Sequence, residues 1–147
     1  VAAADVMLRR RHCTMQELQA TAGIRHARKL SIAADLAHAG SRSPRESLFR
    51  VAMVEAKLPR PELNKDILDR GAWLGCGDFV WEGYRLIVDY DGQDHGDSDQ
   101  RHQDAATRNA YRLHGWQHLV ITKHMTRNMD YAVGFVREGL MQAGWVA

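Results

Sequence analysis

The stretch from Gly75 to His95 carries three aspartates, Asp78, Asp89 and Asp91, at a spacing that lets one β-hairpin aim them all at one point. Asp78 lies in a run that ends at Trp81, Glu82-Gly83 reads as a turn, and Tyr84 to Tyr90 is an apolar, β-branched run of the strand type. A two-residue turn would pair Trp81 with Tyr84, Val80 with Arg85, Phe79 with Leu86 and Asp78 with Ile87. Opposed residues share a face and side chains alternate with period two, so Asp78, Asp89 and Asp91 point the same way. A four-residue loop keeps that parity, whereas an odd loop destroys it. Carboxylates held this close repel one another unless positive charge sits among them. A hard divalent cation with oxygen ligands is the natural occupant.

The elements that must hold such a hairpin can be read on either side of it. Ala2 to Arg11 is helical in composition, Thr14-Met15-Gln16-Glu17 is a capping box that opens a helix toward Ala22, and a third helix is expected from about Arg25 to Ala39, stopping at Gly40. Ser43-Pro44-Arg45-Glu46 combines an N-cap serine, proline at the first helical position and glutamate three residues after the cap. The helix it opens carries Leu48, Phe49, Val51, Ala52 and Val54 and ends before Pro59 and Pro61. Glu62 to Asp69 is expected as a strand, followed by an Arg70-Gly71 turn and the hairpin. Gly92 to Asp97 is a polar loop, and Asp97 or Ser98 caps a helix reaching about His114. His118-Leu119-Val120-Ile121-Thr122 reads as a short buried strand, and a last helix runs from about Met129 to Ala143. The order α-β-β-β-α-β-α predicts an α/β fold with a mixed sheet flanked by helices. Residues 1–42 form an N-terminal helical segment or linker, and residues 43–147 the domain that carries the aspartates.

At 147 residues the chain holds one core of ordinary domain size, and its 45% hydrophobic and 26% charged content is that of a soluble globular protein. No apolar run approaches the roughly 20 residues of a membrane helix, and no signal peptide is visible. Cys13 and Cys76 stand apart, in no metal-ligand or redox spacing, which suits a reducing cytoplasm. The chain opens at Val1 inside a helical stretch, which suggests a piece of something longer with a further N-terminal domain. The formal charge of +2 conceals a segregation: residues 1–60 have a net of +6, residues 61–100 a net of −7, and residues 101–147 a net of +3. An acidic centre between basic flanks suits a protein that binds metal in the middle and polyanion around it, although solvated helix faces give the same count.

The element order, with acidic residues in the second and third strands and a glutamate in the first helix, resembles the PD-(D/E)XK nucleases. More narrowly, it is similar to the very-short-patch-repair-like endonuclease domains common in actinobacteria, often the C-terminal part of abortive-infection antitoxin-like proteins. The stretches that carry the likeness are Ser43-Pro44-Arg45-Glu46-Ser47, Leu58-Pro59-Arg60-Pro61-Glu62-Leu63, Gly77-Asp78-Phe79-Val80-Trp81, Tyr84 to His95, and Gly115-Trp116. Together they span about residues 43–145. The resemblance implies a restriction-endonuclease-like core and Mg²⁺-dependent hydrolysis of DNA phosphodiester bonds, with Mn²⁺ able to substitute. It assigns Asp78, Asp89 and Glu46 as metal ligands, with Asp91 and His95 completing the catalytic set. Asp89 stands where relatives usually have Glu, one methylene longer, and Asp91 takes the place of the wider superfamily's Lys. Lys57 stands where many relatives place Gly.

A phosphodiester is anionic and resists attack, so such a reaction needs a cation that neutralises the phosphate and lowers the pKa of a bound water. Carboxylates hold Mg²⁺ while leaving positions open, and a histidine such as His95 can carry a proton near neutral pH. Each residue also has a plainer role open to it. Glu46 completes the capping box of Ser43, Asp91-Gly92 is a common turn pair, His95 sits in a loop, and Cys76 serves as a small buried hydrophobe. Arg101, Arg108 and Arg112 lie near one helix face with Asp104 among them and could meet DNA phosphates, as could Arg9, Arg10 and Arg11, or form solvated ion pairs. The competing expectation is a nuclease fold kept as a DNA-binding or protein-interaction module, which Asp89 in place of Glu and the missing Lys favour.

Overall fold

In a computed structural model, which describes residues 1–22, 28–91 and 98–147 (side chains excepted at 22, 28–30 and 98–104), the chain forms two compact units, Val1–Glu55 and Ala56–Ala147. The first unit contains α1 (Ala2–Arg9), α2 (Met15–Ala22), α3 (Arg28–Asp35) and α4 (Pro44–Glu55). Local chemistry starts two of these helices as expected. Thr14 and Glu17 exchange bonds, Glu17 N–H to Thr14 Oγ1 at 3.2 Å and Thr14 N–H to Glu17 Oε2 at 2.8 Å, which satisfies two donors at the start of α2. At α4, Glu46 N–H donates to Ser43 Oγ at 3.2 Å.

α3 stops at Asp35, short of the Ala39 that its composition suggests. The cause is a competing partner: His38 N–H donates not to a helical carbonyl but to Asp5 Oδ1, 2.8 Å away on α1. The other oxygen of Asp5 accepts from Arg50 Nη2 of α4 at 2.9 Å, with Asp5 1% and Arg50 7% exposed. This buried pair ties the first helix of the unit to its last. Burial, with the Arg50 guanidinium nearby, holds the His38 imidazole below its ordinary pKa, and the Asp5 carboxylate opposes that shift only in part.

The second unit contains β1 (Glu62–Asp69), β2 (Ala72–Trp81), β3 (Leu86–Asp91), α5 (Ser98–Leu113), β4 (Gln117–Thr122) and α6 (Met129–Gln142). The four strands form one mixed sheet in the order β1-β2-β3-β4. The first three are antiparallel neighbours, and β4 runs parallel to β3. Arg70 and Gly71 take φ of +51° and +81°, the two positive values that a tight two-residue hairpin needs. The ladder between β1 and β2 slips between Ile67 and Leu68. α5 ends as its sequence demands: Gly115 takes φ +73°, its N–H reaches Arg112 O, and Trp116 N–H reaches Tyr111 O at 2.9 Å.

The β2–β3 hairpin is built differently from the two-residue turn expected of Glu82-Gly83. Trp81 pairs with Leu86, Val80 with Ile87 and Phe79 with Val88, so the register is moved by two residues. Glu82–Tyr84 form a short 3₁₀ turn, and Arg85 closes it in the left-handed region at φ +48°. The loop is therefore four residues long, and parity is kept: extending the register beyond Phe79–Val88 brings Asp78 opposite Asp89.

Alternation sorts the sheet into two faces. Val80, Ile87 and His118 share one face, which receives Tyr111 of α5; Ile67, Leu74, Trp116 and Tyr111 are buried with them. Phe79, Leu86, Val88, Leu119 and Ile121 share the other face, on the side of α6, where Gly139 lies so close to Leu119 that an added Cβ would stand 2.6 Å from its Cδ1. Asp89 and Asp91 line the α5 side of the sheet, beyond the point where its apolar packing ends.

Candidate functional site

The backbone ladder between β2 and β3 stops at Phe79–Val88, and the two aspartates take over from it. Asp78 N–H donates to Asp89 Oδ1 at 3.0 Å, and Tyr90 N–H donates to Asp78 Oδ2 at 2.9 Å. Each carboxylate thus caps the neighbouring strand, so backbone donors at the parting strands are satisfied by side-chain oxygens. Both side chains are half-buried. The sequence pattern brings these two residues together, and the structure adds the means by which they are held.

The second oxygen of Asp89 has a partner that sequence reasoning did not single out. His118 Nε2 lies 2.7 Å from Asp89 Oδ2, and the Tyr111 ring meets the imidazole edge-on at 5.3 Å between centroids. His118 stands in β4, within a run whose apolar neighbours announce a strand; a titratable ring in such a run was the available signal. Tyr111 is fully buried, and its hydroxyl has no hydrogen-bond partner among the described residues. Burial, reinforced by the Asp89 carboxylate, pushes its pKa well above the ordinary phenol value, so it stays a neutral ring.

Gly75 makes room for that ring. A Cβ at this position would stand 2.3 Å from the Tyr111 hydroxyl and 3.0 Å from Thr107 Cγ2, on a backbone with φ +155°. Gly75→Ala is therefore expected to destabilise the protein by about 1–3 kcal/mol through overpacking, read as a fall in the urea midpoint. A Gly75→Ala midpoint equal to wild type would show that Tyr111 is free to move aside.

Asp89, Asp91, Arg108, Thr107, Tyr111 and His118 line a cavity of about 360 Å³ between α5 and the sheet. Of the three arginines expected to meet phosphate, Arg108 lines this cavity and Arg112 is exposed farther along α5; the Arg101 side chain lies outside the described residues. His95 also lies outside them. Asp91 is exposed at the end of β3. Glu46 belongs to the first unit, where its Oε2 accepts from Arg42 N–H at 2.8 Å and its own N–H donates to Ser43 Oγ. Cys76 is partly exposed rather than fully buried, whereas Trp116, at 7% exposure, is a core residue.

Two carboxylates on adjacent strands suit a hard dication, because their oxygens carry lone pairs beyond those spent on the N–H bonds. Asp78 and Asp89 thus fit the chemistry of such a site. Among the described residues, no group of three or more His, Cys, Asp or Glu side chains is arranged around a common point. No helix among them is long and apolar enough to cross a membrane. Comparison of the chain with family models, curated proteins and solved structures finds no match.

Proposed function

We propose that this chain is a Mg²⁺-dependent endonuclease that hydrolyses DNA phosphodiester bonds, built on a restriction-endonuclease-like core. The observation that carries the reading is the pair of carboxylates, Asp78 and Asp89, drawn from neighbouring strands to one place and held there by reciprocal bonds to backbone N–H groups. The element order from α4 to α6 supports it, being the α-β-β-β-α-β-α order on which the resemblance to such nucleases rests.

In this reading Asp78 and Asp89 would hold Mg²⁺, and Asp91 adds negative charge at the cavity rim. The bound cation supplies charge neutralisation at the phosphate and a more acidic water. Arg108 contacts a phosphate oxygen and positions the backbone of the substrate, and Arg101 and Arg112 extend that contact along α5. His95 takes or returns the proton of the reaction. The rigid mounting of Asp78 and Asp89 on a sheet lets them present their oxygens without reorganisation.

A second reading has its own observation. Asp78 Oδ2 and both oxygens of Asp89 accept hydrogen bonds within the protein, so the pair can serve as a brace in a DNA-binding or protein-interaction module that cuts nothing. Nicking of supercoiled plasmid in Mg²⁺ or Mn²⁺ separates the two. Cleavage that stops on addition of EDTA is the expected result, and DNA binding without cleavage in either metal supports the module.

A further inference from the structure

Asp89 is held at both ends. Asp78 N–H occupies Oδ1 at 3.0 Å and His118 Nε2 occupies Oδ2 at 2.7 Å, so rotation of the carboxylate would break one bond or the other. An ionised carboxylate only accepts, so His118 must carry its proton on Nε2. The imidazole is itself restrained by the Tyr111 ring at 67° to its plane, and Tyr111 by the glycine beneath its hydroxyl and by the end of α5. A chain of three side chains from α5, β4 and β3 therefore ends on one carboxylate.

We propose that His118 is a positioning residue for the divalent cation: it sets the plane of the Asp89 carboxylate and thereby the affinity of the site. This rests on the metal-site reading above but names a residue outside it. A carboxylate already fixed loses little conformational freedom on taking a cation, whereas one freed at Oδ2 must be ordered at the moment of binding. Partners that orient a ligand are typically worth 10–100-fold in metal affinity. A brace that serves the fold alone would move stability and leave affinity unchanged.

The test is direct Mn²⁺ binding to the intact chain, followed by the paramagnetic signal of the free ion, without DNA and without reference to cleavage. Wild type is expected to bind Mn²⁺ at a site that Asp78→Ala removes. His118→Leu should weaken it about 10–100-fold, and His118→Gln, which keeps a donor of similar reach, should recover most of the loss. Should the leucine variant fail to fold, His118→Asn, polar but too short, replaces it in the comparison. Equal affinity in wild type and His118→Leu (or Asn), a glutamine variant as weak as the leucine, or the lack of any Asp78-dependent site in wild type each overturns the proposal. The nuclease reading is judged separately, by plasmid nicking. Metal binding that responds to His118 in a protein that cuts nothing sinks that reading and leaves this one standing.

Discussion

Asp78→Ala is expected to abolish plasmid nicking, with a loss of roughly three orders of magnitude or more, the scale set when a cation worth several kcal/mol to the transition state is removed. The alanine also deletes the acceptor of the Tyr90 N–H, so a stability cost of about 1–3 kcal/mol accompanies it, offset in part by relief of repulsion between Asp78 and Asp89. Asp78→Asn separates the two effects. Its side-chain oxygen can still accept from Tyr90 N–H, while its charge is gone. An asparagine variant that melts with wild type and does not nick isolates the loss of charge as the cause. Nicking by Asp78→Asn at the wild-type rate would remove Asp78 from the catalytic set.

In the first unit, Asp5→Ala is expected to cost about 3–5 kcal/mol, because it strands the buried Arg50 guanidinium without its counter-charge. The same substitution leaves His38 N–H without the acceptor that ends α3. Paired replacement by apolar residues, Asp5→Leu with Arg50→Met, should recover most of that loss, since neither charge then remains to be desolvated. Urea denaturation followed by helical circular dichroism measures both. A single variant within 1 kcal/mol (about a fivefold change in the folding equilibrium) of wild type would mean that water reaches Arg50 when Asp5 is removed.

Those parts of the fold governed by short-range chemistry were legible in the sequence. Ser43-Pro44 opens α4, Arg70-Gly71 turns β1 into β2, and Gly115 closes α5, each because one residue type suits a backbone conformation that others resist. The hairpin register was not legible, because Arg85 is no turn signal. Its left-handed conformation is sustained by distant partners: its carbonyl accepts from Gln117 N–H at 2.8 Å, and its guanidinium lies over the Trp116 ring while bonding Asp69. The early end of α3 has the same origin in Asp5. At the candidate site, period-two pairing was enough to bring Asp78 beside Asp89, because an even loop of any length gives the same parity. His118 escaped notice because β3 and β4 meet only after a crossover through α5, a pairing that local sequence does not encode.

The slip in the ladder at Ile67 and Leu68 bears on how this protein behaves when concentrated. β1 is an outermost strand of the sheet, the kind of margin along which a second molecule can add its own strand and seed aggregation. Its regularity is broken by that slip and by Asn64 at φ +47°, and Lys65, ion-paired with Glu62 and Glu82, sets charge beside it. Such a margin is a poor template for cross-β growth, which keeps the outer strand from recruiting copies of itself.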